Sequence, residues 1–98
     1  MSLRLHLEAS QEVDDAFKYY EAQRPGLGSS FLAALDHAYD QIEAFPKAWP
    51  PARGKTRWYI LERFPFGVIY LEKQDKIIVI AVSHLSRRRD YWLSRVPT

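Results

Sequence analysis

The stretch Lys76-Ile77-Ile78-Val79-Ile80-Ala81-Val82-Ser83-His84 decides the fold of this 98-residue chain. Residues 77–82 are apolar without a break and rich in β-branched side chains, which favour extended strands. A strand that faced water on one side would alternate apolar and polar residues. The stretch therefore predicts a central strand that is covered, at least partly, on both faces.

Two further strand-like runs precede the central strand. Phe66–Lys73 is joined to it by the short turn Gln74-Asp75, which predicts a hairpin. Arg57–Phe64 comes before Pro65, which has no backbone donor and allows only a bend or a sheet edge at that point. Upstream of these strands, residues 46–54 hold three prolines and predict an irregular loop.

Two amphipathic helices are predicted in the first half of the chain. The first begins after the capping residue Ser10 and stops at Pro25-Gly26, while the second opens at Gly28 or Ser29 and ends before Pro46. The short connection predicts an antiparallel helical hairpin. The apolar stripes are Val13, Ala16, Phe17 and Tyr20 in the first helix, and Phe31, Leu32, Leu35, Tyr39 and Ile42 in the second.

The N-terminal residues complete the predicted fold. Leu3, Leu5 and Leu7 alternate with polar residues, so residues 2–8 predict a half-buried strand whose leucines face the core. The order is then βααβββ, an α+β fold of two layers in which the N-terminal strand and helical hairpin pack on a mainly antiparallel four-stranded sheet. We expect the core to form between two sets of side chains: Phe17, Tyr20, Phe31, Leu35 and Ile42 from the helices, and Ile60, Ile69, Val79 or their sheet neighbours from the sheet.

Length and composition narrow the class of protein. A chain of 98 residues has room for one core, so we expect a single domain over residues 1–98. The absence of cysteine excludes disulfides, thiolate metal sites and a cysteine nucleophile, and fits a reducing cytoplasm. With neither an apolar run of membrane-spanning length nor a leader-like N-terminus, we expect a cytoplasmic protein that does not enter membranes.

The charge is divided unevenly along the chain. Residues 1–46 hold three basic and eight acidic side chains, whereas residues 47–98 hold eleven basic and four acidic ones. A basic second half indicates a surface that meets an anionic partner, such as a nucleic acid, an acidic peptide or a nucleoprotein machine. The alternative is that the acidic helices simply pair with the basic strands.

Arginines in the second half are the main candidates for binding. Guanidinium groups stay charged and recognise phosphate and carboxylate with two parallel hydrogen bonds. Tyr91 and Trp92 lie among them and are suited to stacking on a base or packing against a peptide. For Arg63, the alternative role is a structural ion pair with a helix carboxylate. The candidate contacts with such a partner are Arg57, Arg63, Arg87, Arg88, Arg89, Trp92 and Arg95.

Signatures of a cofactor or of catalysis are missing. The chain has no phosphate-binding glycine loop, no nucleophile elbow and no two-histidine metal motif, so we expect neither a metal ion nor an organic cofactor. His6 and His37 are interpreted as solvated, whereas His84 stands at the end of the central strand, where sites are often displayed. The helix carboxylates are interpreted as a solvated face: Glu12, Asp14, Asp15, Asp36, Asp40 and Glu43.

Several short motifs in one order resemble the RelE/ParE superfamily of toxins from type II toxin-antitoxin modules. The resemblance covers nearly the whole chain and includes the family's βααβββ fold. Its motifs are Pro25-Gly26-Leu27-Gly28 with Phe31-Leu32, then Arg63-Phe64-Pro65-Phe66 with Ile69-Tyr70, then Ala81-Val82-Ser83-His84 with Arg87 and Tyr91-Trp92.

The resemblance implies a small bacterial growth inhibitor, of the kind linked to plasmid stabilisation, that is held inactive by a cognate antitoxin. ParE-like members poison DNA gyrase, whereas RelE-like members cleave messenger RNA on the ribosome. Against the RelE pattern, Tyr91 falls near the tyrosine position. Gly67 and Leu85 stand where catalytic arginines are expected, and Tyr59 and Leu61 stand near the expected lysines. These departures favour the ParE-like hypothesis.

Two activities of different class remain open at this point, together with an inert remnant that only binds an antitoxin. If the protein is a ribonuclease, His84, Arg87 and Tyr91 would share the general base, the general acid and the stabilisation of the phosphorane. If it is a binding toxin, the basic half engages the gyrase-DNA complex. In both cases we expect an acidic, apolar antitoxin segment to fill a groove edged by arginines, and a homodimer to form when the antitoxin is absent.

Overall fold

The computed structural model describes residues 2–97 and has the predicted element order βααβββ. Two helices separate the first strand from a run of three strands, and a short 3-10 turn follows. The elements are β1 (Ser2–Leu5), α1 (Leu7–Gln23), α2 (Leu27–Ala44), β2 (Arg57–Ile60), β3 (Phe66–Lys73), β4 (Lys76–His84) and the 3-10 turn η1 (Leu93–Arg95).

The four strands form one sheet in the order β1-β4-β3-β2. β1 runs parallel to β4, whereas the β4–β3 and β3–β2 pairs are antiparallel, so the prediction of a mainly antiparallel sheet is confirmed. β4 lies between two neighbours and its residues Ile77, Val79 and Ile80 have no exposed surface. The apolar stretch that decides the fold is therefore a central strand covered on both faces.

A β-bulge at Ile80 changes which side of β4 faces the helices. Ile69 pairs with Ala81, but the next residue of β3 pairs with Val79, so Ile80 is the extra residue of the bulge. Val79 and, beyond the bulge, Val82 belong to the apolar cluster under the helices. Ile80 and Ala81 belong to a second cluster on the opposite face.

The main core lies between the helical hairpin and one face of the sheet. Phe31, Leu35 and Ile42 are buried there, as predicted, and pack with Val79. Of the named sheet partners, Ile60 and Ile69 do not face the helices: Ile60 is 45% exposed and Ile69 belongs to the opposite cluster, so here the prediction holds only for their neighbours. Successive strand residues point to opposite faces, and the residues that face the helices are their neighbours. These neighbours are Tyr59 and Leu61 beside Ile60, and Val68 and Tyr70 beside Ile69.

The N-terminal strand is shorter than predicted. β1 ends at Leu5, and His6 caps α1 by accepting a hydrogen bond from the Glu8 backbone N–H at 3.1 Å. The prediction of Ser10 as the cap is therefore wrong, and Leu7 is 71% exposed on the first turn of the helix instead of facing the core. In the sequence, Leu7 continues the alternation of Leu3 and Leu5, although it is already the first residue of α1.

Two other boundaries differ from prediction. α2 begins at Leu27, because Gly26 adopts the left-handed conformation with φ +89° and turns the chain directly into the helix. β2 ends at Ile60, so Arg63 lies in the bend before β3 and not on the strand. Within residues 2–97, no helix is long and apolar enough to cross a membrane.

Candidate functional site

A cleft of about 590 Å³ opens on the face of the sheet opposite the helices. Its apolar wall comes from β2 and β3 together with the buried ring of Trp92, which is only 5% exposed. Gly67 lies on this wall, and a Cβ there would stand 3.4 Å from the Trp58 ring. The apolar lining residues are Pro51, Ala52, Trp58, Ile60, Gly67, Ile69, Leu85 and Trp92.

The rim of the cleft is basic. Arg87, Arg88 and Arg89 lie just beyond the end of β4, and Arg53 reaches the same opening from the proline-rich loop. Arg53 donates a hydrogen bond to Asp90 at 3.0 Å, which joins the two segments across the cleft. Because the walls are apolar and the rim is cationic, the cleft suits a ligand with anionic and apolar groups.

His84 ends β4 and lines the cleft, as its position in the sequence suggested. Its Nδ1 accepts a hydrogen bond from the Ser86 backbone N–H at 3.0 Å and lies 2.7 Å from the Ser86 hydroxyl oxygen. The edge of the His84 ring also packs near the Phe66 ring, with centroids 5.1 Å apart. Because Phe66 belongs to the cluster under the helices, these contacts hold the imidazole on the helix side of the sheet, at the end of β4.

Glu12 is the unexpected centre of the arginine cluster. It is only 12% exposed, so its interpretation as part of a solvated helix face is wrong. One oxygen accepts from the Val82 backbone N–H at 3.0 Å and from Arg95 at 2.9 Å. The other accepts from Arg87 at 3.0 Å and from the Tyr91 hydroxyl.

The early end of β1 explains why Glu12 is buried at this place. β1 pairs with β4 only as far as Val79, which accepts a last hydrogen bond from His6 N–H at 2.9 Å. Beyond that point Glu12 accepts from the Val82 N–H, and Arg95 donates to the Ile80 carbonyl at 3.2 Å. Two side chains thus satisfy backbone groups that a longer strand would have paired.

The Glu12 contacts change the acid-base behaviour of their partners. Burial raises the pKa of the Tyr91 hydroxyl, and its hydrogen bond to Glu12 raises it further. Burial by itself lowers the pKa of Arg95, but the hydrogen bond and charge of Glu12 outweigh burial and raise it. Arg87 also lies over the Tyr91 ring, 3.8 Å from its centre. Tyr91 is therefore held as a neutral phenol between a carboxylate and a guanidinium.

The structure divides the predicted site residues among four places. Arg88, Arg89, His84 and Trp92 line the cleft, and Arg87 lines it while also contacting Glu12. The others lie elsewhere: Tyr91 and Arg95 bind Glu12, Arg57 donates to the Trp49 carbonyl at 2.7 Å, and the exposed Arg63 borders a separate hollow beside α2.

Sequence reasoning missed Glu12, Arg53 and Trp58. Glu12 and Tyr91 are far apart in the chain, and no spacing rule connects them. Arg53 lies in a loop that the prolines make irregular, so neither helix nor strand periodicity predicts where its side chain points. For Trp58 the sequence contains part of the signal, because strand alternation places it on the same face as Ile60.

The residues that the structure describes contain no cluster of His, Asp or Glu side chains suited to holding a metal ion. The arrangement offers ion pairing, stacking and apolar contact at the cleft. The Glu12 carboxylate next to it is engaged by the protein's own donors.

Comparison with known proteins identifies the family of the chain. The family described as the ParE toxin of the type II toxin-antitoxin system, parDE, matches residues 3–91. No curated protein matches the chain. A chain in the solved structure of the chromosomal ParDE TA system from P. aeruginosa is 20% identical with a TM-score of 0.67, over 88% of this chain and 97% of that one. At this identity the structural likeness shows a common fold, and the family match extends from β1 to the Tyr91 that binds Glu12. The chain therefore belongs to the ParE toxin family of type II toxin-antitoxin systems.

Proposed function

We propose that this toxin inhibits bacterial growth by binding DNA gyrase, without making or breaking bonds itself, and that an antitoxin neutralises it by occupying the cleft. The observation that carries this proposal is the Tyr91–Glu12 hydrogen bond. It engages the hydroxyl that a ribonuclease of this superfamily would need for proton transfer. Because gyrase is cytoplasmic, the proposed action takes place in the cytoplasm.

Proton chemistry is disfavoured at Tyr91 for two reasons. Its hydroxyl proton is directed at Glu12, and burial together with that hydrogen bond raises its pKa. A raised pKa makes the phenol a weaker acid and leaves little phenolate to act as a base near neutral pH. The positions of β2 that face the cleft, Trp58 and Ile60, add no charge to stabilise a phosphorane.

The gyrase hypothesis is tested by a supercoiling assay with purified toxin. We expect wild-type protein to inhibit the enzyme. The double variant Arg88→Glu, Arg89→Glu should inhibit less, because both side chains are exposed on the basic rim. Arg4→Glu is the matched control, since Arg4 is exposed on β1 away from the cleft. Unchanged gyrase activity at saturating wild-type toxin would rule the hypothesis out.

A ribosome-dependent ribonuclease is the second candidate, and the position of His84 at the end of β4, three residues before the first of three consecutive arginines, favours it. Toeprinting on translating ribosomes tests it directly. The hypothesis requires a new cleavage site with wild-type toxin and its loss in His84→Ala or Tyr91→Phe. Equal cleavage by wild type and both variants would remove these residues from the mechanism.

The antitoxin proposal is supported by the composition of the cleft. Its apolar wall and arginine rim complement an acidic, apolar segment, and the related P. aeruginosa structure is of a ParDE TA system. We expect association with the antitoxin to be faster at low salt and slower in Arg88→Ala. Arg63→Ala is informative in the same experiment, because Arg63 borders the other hollow. A rate insensitive to salt and to both substitutions would exclude the basic surface as the antitoxin site.

The apolar surface of the cleft also bears on self-association. Ile60 and Leu85 are 45% and 47% exposed beside it, and exposed apolar surface favours contacts between copies. We expect the free toxin to form a homodimer that dissociates when antitoxin is added. Size measurement by light scattering with and without antitoxin tests this expectation.

A further inference from the structure

The Glu12 carboxylate receives more hydrogen bonds than it has good positions for. Its donors are the Val82 N–H, the Tyr91 hydroxyl, Arg87, and two nitrogens of Arg95 at 2.9 and 3.3 Å. A carboxylate offers about four lone-pair sites, and five donors compete for them here. One donor can therefore break its hydrogen bond while the remaining donors still satisfy the carboxylate.

Arg87 is the donor that leaves most easily. It is 52% exposed, so water already solvates half of its side chain and weakens its ion pair with Glu12. Arg95 is only 8% exposed and also binds Glu8 and the Ile80 carbonyl. When Arg87 departs, Arg95 still neutralises Glu12.

Arg87 also stands at the boundary between Glu12 and the cleft. It lines the cleft beside Arg88 and Arg89, and the nearby carboxylate of Asp90 is paired with Arg53. The guanidinium needs only a change of side-chain rotamer to exchange one carboxylate for another, and guanidinium–carboxylate pairs are suited to binding with two parallel hydrogen bonds.

We propose that Arg87 has two positions: it rests on Glu12 when the cleft is empty, and it turns into the cleft to bind a carboxylate of an acidic, apolar peptide. This inference rests on the proposed occupation of the cleft by the antitoxin. It adds that Arg87 is the residue whose position changes when the cleft is occupied. Glu12 acts as an internal competitor for the incoming carboxylate. It is a positioning residue that tunes affinity without contacting the ligand.

The first test follows Arg87 in the wild-type protein by NMR. Because its guanidinium lies over the Tyr91 ring, the Arg87 side-chain signals carry a ring-current shift. The probe is a short capped peptide of glutamate and leucine, and the control peptide has glutamine in place of every glutamate. We expect the acidic peptide to abolish the ring-current shift and the control peptide to leave it.

The second test is a double-mutant cycle on peptide affinity. Glu12→Gln should tighten binding of the acidic peptide by about two- to fivefold, the range of a weak exposed ion pair released from competition. In an Arg87→Ala background the same substitution should have no such effect. Should Glu12→Gln fail to fold, the NMR experiment on wild-type protein still decides.

The outcomes separate this inference from the function on which it rests. If the peptide binds the cleft while the Arg87 signals stay unchanged, the two-position inference is overturned and the cleft assignment stands. If neither the peptide nor the antitoxin binds the cleft, both the inference and the antitoxin site are wrong. Gyrase inhibition, measured separately, is unaffected by either result.

Discussion

At the scale of single residues, Glu12 joins three parts of the molecule. It lies on α1, accepts from the backbone of β4 and binds Arg87, Tyr91 and Arg95 in the C-terminal segment. A buried ion pair contributes little net stability compared with apolar packing, but loss of one partner leaves the other charge uncompensated. The effect of a substitution at Glu12 should therefore be larger than that of any exposed carboxylate on the same helix.

We expect Glu12→Gln to lower the free energy of unfolding by about 3 kcal/mol, the lower end of the range for breaking a buried pair, because Arg95 at 8% exposure is left with only the exposed Glu8 as a counter-charge. Urea denaturation measures this loss. Asp14→Asn on the exposed side of α1 is the matched control and should change stability by less than about 0.5 kcal/mol. Equal effects of the two substitutions would contradict the central position of Glu12.

Two tyrosines should respond in opposite directions to the same substitution. Among the described residues, the Tyr39 hydroxyl is buried without a hydrogen-bond partner, whereas the Tyr70 hydroxyl donates to the Pro46 carbonyl at 2.6 Å. Tyr39→Phe should therefore stabilise the protein by about 1 kcal/mol, and Tyr70→Phe should destabilise it by about as much. Thermal unfolding of both variants checks the signs, and a loss of stability in Tyr39→Phe would be the contrary result.

At the scale of elements, the helical hairpin depends on a close approach at its turn. The Glu21 carboxylate accepts from the backbone N–H groups of Gly26 and Gly28 at 3.0 Å each. A Cβ on Gly28 would stand 2.8 Å from the Phe17 ring and 2.9 Å from Glu21 Oε1. The first helix thus packs directly on the backbone of the second.

We expect Gly28→Ala to destabilise the protein by about 1–3 kcal/mol, the usual range for overpacking, because the Phe17 ring must move. Ser29→Ala, at an exposed neighbouring position, should stay within about 0.5 kcal/mol of wild type. Guanidinium denaturation of the two variants measures the difference. An unchanged free energy of unfolding in Gly28→Ala would mean that the two helices can move apart there without loss of stability.

At the scale of the whole molecule, the sheet is covered differently on its two faces. The helices bury one face, while the C-terminal segment and the proline-rich loop cover part of the other. The uncovered part is the cleft. The fold also buries several tyrosine side chains, so its free energy of unfolding should depend on pH in the alkaline range.

Burial raises the pKa of Tyr39 and of Tyr70 to about 12, and burial also raises the pKa of Tyr91. Above the ordinary value near 10, the unfolded chain loses tyrosine protons that the folded chain keeps. This contribution to stability is fully present below about pH 10 and is lost as the pH rises towards about 12. Denaturant midpoints across that window test it. Tyr39→Phe should flatten the slope, and an unchanged slope would contradict the assignment.

The sequence by itself determined the elements and their order. The unbroken apolar run 77–82 placed β4 at the centre, and the bounds of β3 and β4 were predicted correctly because turns and a proline mark their ends. Periodicity also identified Phe31, Leu35 and Ile42 as core. These features depend on residues close together in the chain, where spacing and propensity are informative.

Only the tertiary structure decided how distant residues meet. The early end of β1 leaves the edge of β4 to be covered by Glu12 and Arg95, which turns an apparently solvated carboxylate into the partner of the predicted arginines. The bulge at Ile80 shifts the faces of β4, and strand register sends Ile69 away from the helices. No local pattern encodes these pairings, because burial of a polar side chain depends on which backbone groups another segment leaves without partners.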